Sequence, residues 1–137
     1  MRFEVLDHPA DIGFRAHADT LPALFAACAE ALVSLILDAS AAAPAEQISI
    51  SADAADRESL LVNWLNEVLY FVDSRRLVFQ RFEIAKWADT HIEATAFGER
   101  RDPQKHPSKL IVKAVTYHQL AIRQSADGWS ADVYVDV

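Results

Sequence analysis

Apolar residues recur at two different spacings along the chain, and the longer spacing predicts two helices. Between residues 21 and 36 they follow one another at steps of three and four, which places them on one face of an amphipathic α-helix. Thr20 precedes this stripe as an N-cap candidate, and Pro22 is tolerated in the first helical turn. A second stripe covers residues 60–72, with Asp56 as its N-cap candidate. The two stripes therefore predict two helices whose apolar faces form a core.

The shorter spacing, an alternation of apolar and polar residues, predicts strands. The predicted strands are residues 2–6, 14–18, 47–52, 77–87, 91–97, 110–118, 120–123 and 129–135. Residues 8–13 are expected to form a loop, residues 39–46 a surface connection, and Asp127-Gly128 a hairpin turn. The order β-β-α-β-α, followed by a β-meander, predicts an α+β fold. In it, a mostly antiparallel or mixed β-sheet forms one of two layers, and two amphipathic helices pack on one face.

Length and cysteine content limit the domain organisation and the compartment. A chain of 137 residues is long enough for one ordinary domain and short for two, so residues 1–137 are predicted to form a single domain. Cys28 is the only cysteine and lies on the first apolar stripe, which predicts a buried structural thiol in a reducing cytoplasm. The sequence has neither a signal-peptide pattern nor an apolar run of membrane-spanning length. We therefore expect a cytoplasmic protein without a membrane partner.

Charge argues against one class of function and marks one segment. The net charge is −7, whereas proteins that coat nucleic acids are usually basic. Residues 100–113 are an exception, with five lysines and arginines against one acidic residue. This segment could contact phosphate or an acidic partner surface, or it could be a solvated loop. Within it, Lys113 interrupts an apolar strand, so it lies either at a sheet edge or in a site.

Two carboxylates are candidate ligands for a hard cation. Asp11 lies close to Gly13 in the predicted loop, where its alternative role is ordinary turn chemistry. Asp136 lies beside the main-chain oxygen and α-carboxylate of Val137, where its alternative is a solvated chain end. Ca²⁺ and Mg²⁺ prefer such oxygen ligands. The residues alone leave both alternatives open.

The sequence contains few of the patterns that mark enzymes. Its five histidines lack the spacing of a helix-borne zinc site, and its three glycines are too few for a phosphate-binding glycine loop. A nucleophile elbow is also missing. A metal-dependent hydrolase built on His8, Asp11 and His118 remains as an alternative.

Four segments, taken together, carry a resemblance to a known family. They are HPADIGFRAHADTLPALF at residues 8–25, LLVNWLNEVLYFVD at 60–73, KHPSKLIVKAVTYHQL at 105–120, and VYVDV at 133–137. Their order and spacing resemble the archease family over nearly the whole chain. Pro9 departs from the threonine common in the family, and the alanine-rich connection at residues 39–46 is also atypical.

The resemblance implies an accessory protein rather than an enzyme. Archeases activate a GTP-dependent RNA ligase that joins 2′,3′-cyclic-phosphate or 3′-phosphate ends to 5′-hydroxyl ends in tRNA splicing and RNA repair. They promote guanylylation of the ligase and multiple turnover, so RNA would be a partner only through the ligase. The family also binds a divalent cation, which implies Ca²⁺ here, with Mg²⁺ or Mn²⁺ as alternatives. A chaperone or modulator of an RNA-modifying enzyme such as a methyltransferase is the alternative role.

The resemblance also assigns residues. The family's loop aspartate corresponds to Asp11, and its terminal aspartate and aliphatic residue correspond to Asp136 and Val137, the latter through its main-chain oxygen. These three are the expected metal ligands. Contacts to the partner or to a phosphate are expected from His8, Lys105 and Lys113.

Overall fold

The computed structural model of the protein describes residues 3–8 and 11–137, and at Asp7, His8 and Asp11 it describes the backbone alone. These residues form two helices and eight strands. In chain order the elements are β1 Phe3–His8, β2 Asp11–Ala18, α1 Leu21–Ile36, β3 Glu46–Asp53, α2 Arg57–Asp73, β4 Leu77–Ala88, β5 His91–Arg100, β6 Ala114–Val115, β7 Ala121–Ser125 and β8 Gly128–Asp136. The predicted α+β class is confirmed. No helix among the described residues is long and apolar enough to cross a membrane.

The strands form two antiparallel sheets, whereas the sequence predicted one. In the larger sheet β1 pairs with β2 and β2 pairs with β8, while β6 and β7 both pair along the other edge of β8. The smaller sheet has the order β3-β5-β4. Helix α1 packs on strands of both sheets, and α2 packs on α1, the smaller sheet and β6. Alternation of side chains shows which face of a strand is buried but does not identify its neighbour, which explains the difference.

Both helices begin at the predicted caps. The Thr20 hydroxyl accepts a hydrogen bond from the Ala23 amide at 3.2 Å, and the Asp56 carboxylate accepts one from Ser59 at 2.8 Å. The apolar stripes are buried as predicted, and so is Cys28. Desolvation raises the pKa of the Cys28 thiol far above its ordinary value, which fits a structural role.

Trp64 of α2 joins three elements at the centre of the core. It is fully buried, and its indole N–H donates to the Phe25 carbonyl of α1 at 3.0 Å. Its ring also meets the ring of Phe82 in β4 edge to face, at 5.9 Å between centroids. One side chain therefore connects both helices to the smaller sheet.

The long strand predicted at residues 110–118 is wrong for most of its length. Only Ala114 and Val115 form a strand there. The preceding amides of Lys109 and Leu110 instead donate to the carbonyls of Ile36 and Leu35, at 2.9 and 3.1 Å. The carbonyls in the last turn of a helix have no hydrogen-bond partners within the helix. This segment therefore donates hydrogen bonds to the last carbonyls of α1 instead of extending a sheet.

Val115 pairs with a side chain on its other edge. The Asn66 carboxamide of α2 accepts from the Val115 amide at 2.9 Å and donates to the Val115 carbonyl at 3.2 Å. The side chain therefore takes the hydrogen-bonding place that another strand would occupy.

Two predicted loops also differ from the structure. Residues 8–13 do not form one continuous loop, because β1 extends to His8 and β2 begins at Asp11. Residues 9–10 lie outside the described part of the chain. The turn between β7 and β8 is formed by Ala126 and Asp127, one residue earlier than predicted. Gly128 opens β8 with φ of 125°, a conformation that favours glycine.

Candidate functional site

The two predicted aspartate ligands come from strands that are neighbours in the larger sheet. Strand β2 begins at Asp11, β8 ends at Asp136, and the last residues paired between the two strands are Ile12 and Val135. The backbones of Asp11 and Asp136 therefore lie at the same end of the sheet. The Asp136 side chain is exposed, and Val137 is 52% exposed.

The side chains of two predicted site residues lie outside the description. His8 and Asp11 pair with each other through their backbones in the β1–β2 ladder. That register places both residues at the end of the sheet where β8 finishes. Their proposed contacts with a metal or a partner stay predictions.

Lys113 reaches the same end of the sheet through its backbone. Its amide donates to the main-chain oxygen of Asp136 at 2.7 Å, and the next residue, Ala114, pairs with Asp136 in the ladder. The Lys113 side chain is exposed at the edge of the sheet beside Asp136, and its predicted contact with a partner or a phosphate stays a prediction. The main-chain oxygen of Asp136 accepts the hydrogen bond from the Lys113 amide, and Asp136 itself is exposed. The carboxylate is therefore the oxygen group that Asp136 offers to a ligand.

A shallow pocket of about 260 Å³ lies at this end of β8. Its lining residues are Ile12, Thr116, His118, Tyr134, Val135, Asp136 and Val137. The His118 ring stands edge to face against Tyr134, with centroids 5.9 Å apart, and the His118 amide donates to the Thr116 hydroxyl at 3.3 Å. The pocket thus combines a carboxylate with an imidazole, a hydroxyl and a phenol.

The oxygen donors at this pocket fit a hard divalent cation. The Asp136 carboxylate and the main-chain oxygen of Val137 are ligands of the type that Ca²⁺ and Mg²⁺ take. Among residues whose side chains are described, no three His, Cys, Asp or Glu side chains converge on one point. A further protein oxygen would therefore come from a group such as Asp11, and the metal site stays a prediction.

The structure explains why a glycine, Gly13, stands two residues after Asp11. It pairs with Tyr134 in the β2–β8 ladder. A Cβ atom at this position would collide with the Val133 carbonyl oxygen and would lie 2.8 Å from the Tyr134 ring. The glycine therefore serves the close approach of two strands, whereas the sequence suggested that it served a bend.

Lys105 lies in a different part of the molecule from the Asp136 pocket. Its ammonium group binds the Glu99 carboxylate of β5, in the smaller sheet, at 2.8 Å. The same carboxylate accepts from the Ala43 amide at 3.0 Å and pairs with the His106 ring at 2.9 Å. His106 is fully buried, and its Nδ1 accepts from the Asp102 amide, so its Nε2–H donates the hydrogen bond that the Glu99 carboxylate accepts. The structure therefore gives Lys105 a role in fixing its loop.

The Glu99 cluster predicts a specific dependence of stability on pH. The bonds from Lys105, the Ala43 amide and His106 lower the pKa of Glu99 from 4.5 to about 2. A carboxyl whose pKa falls on folding stabilises the protein above its unfolded pKa and loses that contribution as the pH falls through the folded value. We expect urea midpoints to fall between about pH 4.5 and pH 2 more steeply in the wild type than in Glu99→Gln.

The control for that measurement is Glu67→Gln, at an exposed position on α2. It should retain the wild-type slope of the urea midpoint against pH. Equal slopes for the wild type and Glu99→Gln would contradict the assignment.

A second ionic cluster was not predicted from the sequence. Asp132 of β8 is only 6% exposed, and Arg15 of β2 binds both of its oxygens, at 2.6 and 3.1 Å. Arg123 of β7 binds one of the same oxygens at 3.1 Å. The hydrogen bonds from Arg15 lower the pKa of Asp132. The cluster holds three strands together, and the sequence pattern does not identify the partners of Asp132.

The architecture and the pocket together define a class of protein. It is a small α+β protein in which two helices pack on two antiparallel sheets, with a polar pocket at the open end of the larger sheet. The model of the Archease protein family matches residues 3–137, and the chain therefore belongs to the archease family. The resemblance found in the sequence is confirmed.

Individual relatives align with this chain over nearly their full lengths. The chain is 37% identical to protein archease of Methanosarcina acetivorans over 140 residues, covering 99% of this chain and 96% of that protein. It is 39% identical to protein archease of Pyrococcus abyssi over 141 residues, covering 99% of both. The solution structure of Methanobacterium thermoautotrophicum protein 1598 matches with a TM-score of 0.80 and 32% identity, covering 98% of both chains. Family membership supports an accessory role for the chain.

Proposed function

We propose that this archease-family protein is a metal-binding activator of a GTP-dependent RNA ligase. It would promote guanylylation of the ligase and repeated turnover in tRNA splicing or RNA repair, and would meet RNA only through the ligase. The observation that carries the proposal is the position of Asp136. Its exposed carboxylate ends the central strand of the larger sheet, beside the start of β2.

The position of Asp136 supports a cation site shared by two strands. The expected ligands are the carboxylates of Asp11 and Asp136 and the main-chain oxygen of Val137. Two carboxylates near each other repel, and a divalent cation between them removes that repulsion. The oxygen donor set favours Ca²⁺, with Mg²⁺ and Mn²⁺ as alternatives. When bound, the cation would supply positive charge near the phosphates of a guanylylation reaction.

The residues around the carboxylates would position this site on the partner. The Lys113 amide fixes the Asp136 backbone through a hydrogen bond. The ammonium group of the exposed Lys113 side chain is available to a phosphate or an acidic side chain. The ladder between β2 and β8 holds the two aspartate-bearing segments in register. The chain would thus orient the ligands, while the ligase would provide the reacting histidine.

A metal-dependent hydrolase is the second candidate, and one observation favours it. His118 lines the same pocket as Asp136, so an imidazole and a carboxylate face one volume. Such an enzyme would release product without any ligase. Incubating this protein alone with RNA carrying a 2′,3′-cyclic phosphate, in the presence of Mn²⁺, separates the two candidates.

The decisive experiment follows guanylylation of an added RNA ligase with labelled GTP, and then turnover with the ligase well below its RNA substrate. We expect the wild-type chain to accelerate both. Changes around a metal commonly lower affinity or activity by roughly 10–100-fold, so Asp136→Asn and Asp11→Asn should each reduce stimulation at least about tenfold. Titration calorimetry with Ca²⁺ should show a parallel loss of affinity.

Asp127→Asn is the matched control. It removes the same charge from an exposed turn at the opposite end of β8 and should leave stimulation and Ca²⁺ affinity unchanged. If Asp11→Asn and Asp136→Asn behave like this control, the proposed metal site is wrong. If the wild type fails to stimulate the ligase at all, the activator role is wrong.

A further inference from the structure

One exposed apolar side chain lies between two exposed lysines. Ile111 is 81% exposed, the highest value among the large apolar side chains described as exposed. Lys109 and Lys113 are also exposed, while Val112 between them is buried. We call Lys109, Ile111 and Lys113 the lysine–isoleucine stripe. A single exposed apolar side chain is common on protein surfaces, so the case for a contact rests on the two lysines that flank Ile111 and on the surfaces that they adjoin.

The backbone of the stripe is anchored at both ends. The Lys109 amide binds the Ile36 carbonyl at 2.9 Å, and the Lys113 amide binds the Asp136 carbonyl at 2.7 Å. The Val112 side chain is anchored in the core between them. The three outward side chains are therefore presented by a fixed segment, which lowers the entropy lost on binding.

The stripe connects two concave surfaces. Lys109 lines a cavity of about 370 Å³ beside the end of α1, together with Phe79 of β4. At the other end, Lys113 adjoins Asp136 and hence the candidate metal site. A partner that covers the stripe would therefore reach both the cavity and the proposed ligands.

The charges of the stripe oppose those of the whole protein. The chain carries a net charge of −7, yet the stripe presents two lysines. Among the described residues, neither lysine lies within ion-pair distance of a carboxylate, and Lys109 acts on the nearby Asp38 only by helping to lower the pKa of its carboxyl. A complementary surface would thus carry acidic groups around a recess large enough for an aliphatic side chain.

We propose that the lysine–isoleucine stripe is a docking surface for the partner ligase, with Ile111 inserted into an apolar recess that acidic side chains surround. This inference rests on the proposed function for the identity of the partner. A protein fits better than RNA for two reasons. Nucleic-acid strands are held by basic grooves with aromatic side chains, and Ile111 offers neither charge nor a stacking surface. The acidic chain as a whole also repels a polyanion.

The test compares stripe variants with matched controls on the full-length protein. Ile111→Ser and the double variant Lys109→Glu with Lys113→Glu are each titrated against the ligase. Direct binding and half-maximal stimulation of guanylylation are recorded. A central anchor in an interface is commonly worth enough to weaken binding about tenfold or more, and we expect that change for both variants. The maximal rate with Ile111→Ser should match the wild type, because Asp136 and Lys113 are intact.

Two controls change the same chemistry elsewhere. Val5→Ser removes an apolar side chain that is 55% exposed on β1, and Lys86→Glu reverses a lysine that is 72% exposed on β4. Both should bind the ligase like the wild type. Raising the salt concentration should weaken wild-type binding and have little effect on the double variant, since the attraction between exposed charges is screened.

The possible outcomes separate the docking surface from the proposed function. If the wild type stimulates the ligase and the stripe variants match it, the docking surface is wrong and the activator role stands. If the variants lose binding but the wild type never raises guanylylation, the docking surface stands and the activator role is wrong. Loss of binding to a 3′-phosphate RNA oligonucleotide, with ligase binding intact, would assign the stripe to RNA. Failure of the wild type both to bind and to stimulate would overturn both.

Discussion

Replacing Trp64 with alanine is expected to lower the free energy of unfolding by about 3–5 kcal/mol, the range for a buried tryptophan. The side chain is fully buried and touches α1 and β4 as well as its own helix. Its removal would leave a cavity where the two helices meet the smaller sheet. Because most domains are stable by only about 5–15 kcal/mol, this one change would remove a large part of the total.

Urea unfolding followed by circular dichroism measures this effect, and Tyr70→Ala is its control. Tyr70 is an aromatic residue on the same helix that is 48% exposed. Its truncation should change the free energy of unfolding by less than about 1 kcal/mol, as surface substitutions usually do. Similar losses for both variants would show that Trp64 is not the centre of the core.

Replacing Gly13 with alanine is expected to lower the free energy of unfolding by about 3 kcal/mol, the upper part of the range for overpacking. The added methyl group would meet the Val133 carbonyl oxygen, a backbone atom that no side-chain rotation can move. Strand β2 would have to shift away from β8. Since these strands carry Asp11 and Asp136, the end of the sheet should lose its geometry as well.

The comparison for Gly13→Ala is His17→Ala, an exposed position on the same strand. We expect the latter to retain wild-type stability in thermal unfolding and wild-type Ca²⁺ affinity in calorimetry. Wild-type values for Gly13→Ala in both measurements would mean that β2 and β8 tolerate a wider separation than the structure shows.

The sequence predicted the helices well because their signals are local. Thr20 and Asp56 lie three residues before the amides that they bind, so cap and apolar stripe can be found within one short segment. Burial of Cys28 follows from the same stripe. These features depend on spacing, and spacing is visible in one sequence.

Strand partners could not be predicted because they depend on residues far apart. The segment containing Lys109 and Leu110 has strand-like composition, yet it satisfies carbonyls at the end of α1. Asp132 binds two arginines, Arg15 and Arg123, which lie on two other strands. Alternation gives the same prediction whichever strand is the neighbour.

The candidate site was predicted by resemblance rather than by chemistry. Read as isolated residues, Asp11 was compatible with a turn and Asp136 with a solvated end. The structure adds that their strands pair and that their backbones share one end of the sheet. Of the other pocket residues, His118 was named from the sequence only in the hydrolase alternative, and Thr116 was not named, because its contribution depends on the turn that follows β6.

Strand β8 is the centre of the larger sheet, yet every other strand of that sheet precedes it in the sequence. A growing polypeptide can therefore complete the smaller sheet, whose strands lie between residues 46 and 100, while the larger one still lacks its centre. Strand β2, which carries the fully buried Phe14 and Ala16, has β1 on one edge and stays open on the other until β8 is made. Nascent chains thus carry β2 with one unpaired edge through most of translation, when association with other chains is the main hazard.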